Sequence, residues 1–417
     1  QSLKKIIEII GLTAYLMPKD KRPVILFVGN QKMEADVRET LEMLSSGFHT
    51  TPNIRPSVAT EDLRAARKEL ARAFIEIRKK QMPSVEELDM WAGGRALPSV
   101  FAEGRIVQLL SKLYGSEKPL LSVNLGASST AVSVGFGGRL QTKVYPHLGM
   151  GAGIAELLSH TSTENITRWL TIDVSPQRIS DYVYTKALYP NSIPATQDDL
   201  QIEQALGREA LRIAMSAAQK KLPDGVPTLK KNLLPSFEII LAGGSILSNA
   251  PTFGQSLLIL LDALQPTGVN TLILDANNLL PALGAAAEIN SILPVQALES
   301  GAFVNLATVV SPLSSSRYGT NILKASLRRA DGSVSVVEVK QGGLEVLPLP
   351  IGQVTDLVLQ PQHRADIGQG AGKKISMQVG GSALGLVLDG RGRPLDLISD
   401  EVRRRSLIKK WLWTLGG

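Results

Sequence analysis

At 417 residues, 44% hydrophobic and 20% charged, the chain has the make-up of a globular protein with two or three cores. Cysteine is absent and the four histidines (His49, His147, His160, His363) show no metal-ligand spacing, which excludes disulfides and thiolate nucleophiles and argues against a zinc enzyme. The formal charge of +7 sits partly in short basic runs (Lys220-Lys221, Lys230-Lys231, Arg403-Arg404-Arg405, Lys409-Lys410) without interleaved aromatics, so no nucleic-acid partner is read from it.

No apolar run approaches the roughly 20 residues of a membrane helix, and Gln1-Ser2-Leu3-Lys4-Lys5 does not open a signal peptide, so a cytoplasmic protein is expected. Residues 1–20 predict a short helix on Leu3, Ile6, Ile7, Ile9 and Ile10. Pro23 to Val28, ending in Gly29-Asn30, has the pattern of a buried parallel strand, followed by a helix from Glu34 to Leu44. From Thr60 to Lys80 a helix carries Leu63, Ala66, Leu70, Ala73, Phe74 and Ile77 on one face. Arg64, Arg67, Lys68, Arg72 and Arg78-Lys79-Lys80 lie on its other, solvated face. Leu97–Leu113 reads as another helix.

Leu120–Leu125 is then an apolar strand, Gly126-Ala127-Ser128-Ser129 a tight turn of small residues, and Thr130–Val134 a β-branched return. A third strand, Leu140–Tyr145, completes a meander. Leu148-Gly149-Met150-Gly151-Ala152-Gly153 opens a helix at Ile154, with spacing unlike a dinucleotide fingerprint. A mixed, partly helical stretch fills 160–200, and Ile202–Lys221 is a clean amphipathic helix. Phe237–Leu241 is a strand ending in a second glycine turn, Ala242-Gly243-Gly244-Ser245. A helix over Ser256–Leu264 and a strand over Val269–Leu274, stopped by Asp275, come next. Leu280–Ile289 is a helix of small residues suited to very close packing. Beyond Pro312 the chain turns Val- and Gly-rich. It predicts a hairpin (Ile322–Arg329 and Val334–Lys340 around Asp331-Gly332), strands at 354–359, 374–379 and 383–388, and a turn at Asp389-Gly390-Arg391-Gly392-Arg393-Pro394. A basic helix from Asp400 closes the chain, with Leu407, Ile408, Trp411 and Leu412 apolar.

Val28-Gly29-Asn30, Asn53-Ile54-Arg55-Pro56, the strand-turn-strand Val123–Val134, Leu148-Gly149-Met150, Gly243-Gly244 and Leu274-Asp275 to Pro281-Ala282-Leu283-Gly284 occur in one order over about residues 20 to 310. This series resembles the glutamate mutase L (MutL, GlmL) family of the actin-like (ASKHA) superfamily, accessory proteins encoded with cobalamin-dependent mutases. The resemblance implies an α/β, actin-like ATPase-type (ribonuclease H-like) fold lacking part of its first lobe, plus a C-terminal all-β domain. The expected division is 1–118 (first lobe), 119–311 (second lobe) and 312–417 (β-barrel or sandwich with the basic helix). No Asp-x-Gly-Ser-Thr-type first phosphate hairpin precedes Lys21; if that hairpin lies on a removed or separate piece, nucleotide binding would be restored by it. His147 stands where the family has an acidic residue before Leu-Gly-Met.

Two glycine turns far apart in the chain suggest a nucleotide cleft in which they face each other across a gap between lobes. The expected nucleotide-binding residues are Asn124, Gly126, Ser128, Ser129, Thr130, Gly243, Gly244, Ser245 and Asp275, with ATP or ADP and Mg as cofactors. For Asp275 a helix-capping role is the stronger reading, and His147 and His160 are read as structural or surface residues. Asn124 replaces the family's aspartate, and a neutral amide is a poor metal ligand, so no intact ATPase is expected. The function implied is a reactivating or chaperone-like partner of a cobalamin-dependent mutase. The alternative is a degenerate actin-like scaffold, a pseudo-ATPase assembling with copies of itself; a sugar or acetate kinase is the weakest reading. Trp411 and Trp413 beside the basic run leave peripheral membrane contact open, with packing of the helix on its own domain preferred.

Overall fold

The computed structural model describes residues 2–58, 60–114, 117–229, 233–328 and 332–417. Lys230-Lys231 of the basic loop and Asp331 of the predicted hairpin turn lie outside the described residues. The chain divides after Phe101 into two units, whereas the sequence places boundaries at 118/119 and 311/312.

In the first unit, α1 (Ser2–Leu16) precedes β1 (Val24–Phe27), α2 (Glu34–Leu41), β2 (Gly47–Thr50), α3 (Arg64–Gln81) and α4 (Pro83–Trp91). β1 and β2 pair in parallel, from Val24↔Gly47 to Phe27↔Thr50. All four residues of β1 are only half-buried, because a sheet of two strands covers little. The apolar stripe of α3 is likewise covered in part: Ala66 is buried, while Leu70 and Phe74 remain 56% and 46% exposed.

α5 (Ser99–Leu113) carries the chain into the second unit. There β3 (Leu120–Leu125), β4 (Thr130–Phe136) and β5 (Arg139–Tyr145) form the expected antiparallel meander. Four helices follow: α6 (Ile154–His160), α7 (Thr163–Thr167), α8 (Pro176–Leu188) and α9 (Gln197–Gln219). After them the chain crosses to β6 (Ile239–Gly243), α10 (Ser245–Ser248), α11 (Phe253–Leu264) and β7 (Gly268–Leu274). α12 (Leu280–Ala286) and α13 (Leu293–Glu299) lead to β8 (Val304–Ser311). The chain ends with β9 (Asn321–Arg328), β10 (Val334–Lys340), β11 (Leu344–Leu347), β12 (Val354–Pro361), β13 (Ile375–Gly380), β14 (Leu386–Asp389) and α14 (Glu401–Thr414).

The large sheet has eight strands in the order β11-β14-β8-β7-β6-β3-β4-β5. β3, β6 and β7 run parallel, β8 returns antiparallel to β7, and β14 lies parallel beside β8. Period-two alternation decides what each face sees. Leu121, Val123 and Leu125 join a core with Leu206 and Ala210 of α9, while Leu120 faces Ile106 and Leu110 of α5 and Leu280 of α12. The small-residue helix packs as closely as expected: a Cβ on Gly284 would lie 1.9 Å from the Ala102 carbonyl oxygen.

Residues beyond 312 build a second sheet, β10-β9-β12-β13, over a core of Ile322, Leu323, Leu357, Leu359 and Val379. They do not stop there. β11 and β14 extend the large sheet, and Val310, Leu386 and Leu388 share the core beneath the small one. The physical reason is β8, an apolar run that the sequence reading left unassigned before Pro312 and that gives β14 an edge to pair with. Ile408 and Trp411 of α14 and Leu415 just after it are buried, so Trp411 packs on its own unit, while Trp413 is 82% exposed. Among the described residues no helix is long and apolar enough to cross a membrane.

Candidate functional site

β3 stops at Leu125, β6 at Gly243 and β7 at Leu274, and the registers Asn124↔Gly243 and Ala242↔Leu274 set these carboxyl ends side by side. From β3 the chain proceeds to β4 and β5 on one side and returns as β6 on the other. Such a switch in strand order opens a crevice at the carboxyl ends of a sheet. Gly244 occupies it with φ +102°, and a Cβ there would lie 2.3 Å from the Leu125 carbonyl oxygen, so only glycine fits.

The β3–β4 turn is buttressed by the second glycine-rich stretch. Its Gly126 and Ala127 carbonyls accept from the Met150 and Gly151 N–H groups at 3.0 and 2.8 Å. A Cβ on Gly149 would lie 2.6 Å from the Ser128 carbonyl carbon. Leu148–Gly153 therefore serves as a floor for the turn. Among the described residues no backbone acceptor meets the N–H groups of Ala127 and Ser128, and the Ser128 side chain is exposed.

Of the expected residues, Asn124, Gly126, Gly243 and Gly244 meet on this rim, Ser128 and Ser129 form the adjoining turn, and Ser245 follows at the exposed start of α10. Thr130 differs: it is buried and its hydroxyl donates to the Leu148 carbonyl at 2.7 Å, tying turn to floor. Asp275 lies beside Gly243, but its carboxylate accepts from the Leu279 and Leu280 N–H groups, each at 2.8 Å, and so caps α12. The two glycine turns sit on neighbouring strands of one sheet and do not face each other across a gap between lobes. β3 and β6 pair directly, so no boundary between lobes runs between them.

The MutL protein family matches residues 7–301 of the chain, well over half of it. The chain belongs to the MutL family. No curated protein matches it. In this MutL chain the sequence reading passed over one residue of the site, Glu103. It projects from α5 and is 3% exposed, and its two oxygens accept from the Ser122 hydroxyl at 2.7 Å and the Asn124 amide at 3.1 Å. The same alternation that buries Val123 turns Ser122 and Asn124 toward it. An acid two residues before Arg105 reads as surface, and only the polar pair inside an apolar strand pointed to a buried partner.

Burial pushes the Glu103 carboxyl above the usual carboxylate range. The bonds from Ser122 and Asn124 oppose this, and the nearby Asp275 adds to it. The folded protein thus holds a proton that the unfolded chain has released, between the ordinary value near ~4.3 and the raised one. The stability this gives is complete below that window and is lost as pH rises through it. Glu103→Gln is expected to abolish this decline, read as a flatter dependence of urea midpoint on pH than the wild type shows.

His147 and His160 of the MutL chain come together, ring centroids 4.8 Å apart, with Tyr145 edge-on to His147 at 5.9 Å. Among the described residues no group of three or more His, Asp or Glu side chains is arranged to hold a metal.

Proposed function

We propose that this chain is an actin-fold accessory protein associated with glutamate mutase, which binds an adenine nucleotide at the carboxyl ends of β3 and β6 and acts on a protein partner. A cobalamin-dependent mutase is the partner that family membership suggests. The observation that carries the reading is the rim itself. A glycine with φ +102° pressed against Leu125 and a turn with free Ala127 and Ser128 N–H groups meet at a strand-order switch. The antiparallel meander followed by parallel crossovers to β6 and β7 supports the ribonuclease H-like form of the fold.

The rim offers backbone donors and hydroxyls to phosphate and no free carboxylate to orient an attacking water. Its role is therefore binding: a nucleotide with different affinities for two conformations of the protein shifts their populations and with them the affinity for the partner. Titration calorimetry of the whole chain with ADP and ATP tests this. A one-to-one isotherm is expected, weakened by Ser128→Pro, which removes one of the free N–H groups. Flat isotherms and a melting temperature indifferent to nucleotide would favour the scaffold reading, which draws support from the structural use of Thr130 and Asp275.

A further inference from the structure

An actin-like fold implies magnesium beside the nucleotide phosphates, and the side chains on this rim do not fit it. Magnesium takes oxygen ligands in near-octahedral geometry and is held by one or two carboxylates together with phosphates and waters. Both oxygens of Asp275 accept backbone N–H groups at the start of α12, from Leu279 and Leu280, and coordination by them would uncap that helix. Both oxygens of Glu103 are likewise engaged, and its burial keeps a hydrated cation away. Asn124 turns its N–H₂ toward Glu103, which leaves only a neutral amide oxygen, beside Gly126, on the ligand side.

We infer that this rim takes its nucleotide without a divalent cation, the Glu103–Asn124 pair standing where a metal-linked carboxylate would be; this rests on the nucleotide reading given above. The pair is matched. With Asn124 the buried glutamate has a donor, whereas an aspartate at 124 would set two carboxylates about as close as the 3.1 Å that now separates Asn124 Nδ2 from Glu103 Oε2. Asp275 would add a third negative group close by. Such a cluster needs a proton or a cation to be stable. The asparagine removes that need, and the phosphates are met by N–H and hydroxyl groups of the Gly126–Ser129 turn.

The experiment is calorimetry of the whole chain with ADP and ATP in EDTA and, separately, in excess magnesium chloride. Affinity in EDTA is expected to equal or exceed that in magnesium. Binding seen only with magnesium overturns the inference and leaves the nucleotide reading standing, and no binding in either buffer removes both. Asn124→Asp supplies a second arm. It is expected to melt lower than wild type in EDTA, to recover with magnesium or manganese, and to bind ADP about tenfold tighter with metal than without, a difference of about 1.4 kcal/mol. If Asn124→Asp melts and binds alike in both buffers, Asn124 is not what dispenses with the cation, and the inference falls.

Discussion

Arg391→Met is expected to destabilise the second unit by about 3–5 kcal/mol, the usual consequence of leaving buried charges without their partner. The Arg391 guanidinium is wholly buried. It donates to Asp389 through Nε and Nη2 at 2.9 and 3.0 Å, reaches Asp262 of α11 with Nη1 at 2.7 Å, and stacks on Trp411 of α14 at 4.8 Å. Asp262 also accepts from Arg208 of α9, and Asp389 from Arg393. One side chain therefore joins the end of β14 directly to α11 and α14, and through Asp262 to α9. In a unit of this size each kcal/mol moves the midpoint by roughly 2–4 °C, so calorimetry should show a loss on the order of 10 °C.

The same cluster sets an acid limit. Burial pushes the Asp389 carboxyl up, but Arg391 and Arg393 outweigh it and hold the group far below the usual carboxylate range. A depressed folded value means that the stabilisation is complete above the ordinary carboxylate value near ~3.9 and is lost as pH falls below it. In Arg391→Met that loss on acidification should be smaller than in wild type. An equal loss in both proteins would assign the acid sensitivity to other carboxylates.

The second large effect is expected at Gly284. A methyl group there meets the Ala102 carbonyl oxygen at 1.9 Å, and this obstacle is backbone, which cannot swing aside. Gly284→Ala should force α12 away from α5 and destabilise by about 3 kcal/mol or more, at the upper end for overpacking. Because Ala102 precedes Glu103, the shift should also disturb the bonds to Ser122 and Asn124 and lower nucleotide affinity. Gly301→Ala is the control. It has φ +78° with nothing within 4 Å, so only backbone strain of about 1 kcal/mol is at stake. Equal denaturant midpoints for the two variants would show that the helix contact adjusts freely.

What the residues disclosed by themselves was local. The β3–β5 meander could be read because strand alternation and turn chemistry are fixed within a few positions. The small-residue helix was legible because Gly284 and its alanines have no other use than close approach. Glu103 was hidden, since its partners lie about twenty residues on and on another element. Asp389, Arg391 and Arg393 looked like the charges of an exposed turn. The missed signal was Asp262, a lone charge inside the apolar helix Phe253–Leu264. Pro312 drew a boundary through what is one sheet, because a strand ending at a proline looks the same whether its partner comes earlier or later in the chain.

That late partner has a consequence for how the protein is made. Once clear of the ribosome β8 can pair with β7 on one side, while its other side waits for Leu386, Val387 and Leu388. At cellular synthesis rates the delay is on the order of ten seconds. Throughout it the nascent polypeptide displays a bare apolar strand edge, and another nascent copy or a holdase chaperone can claim it first.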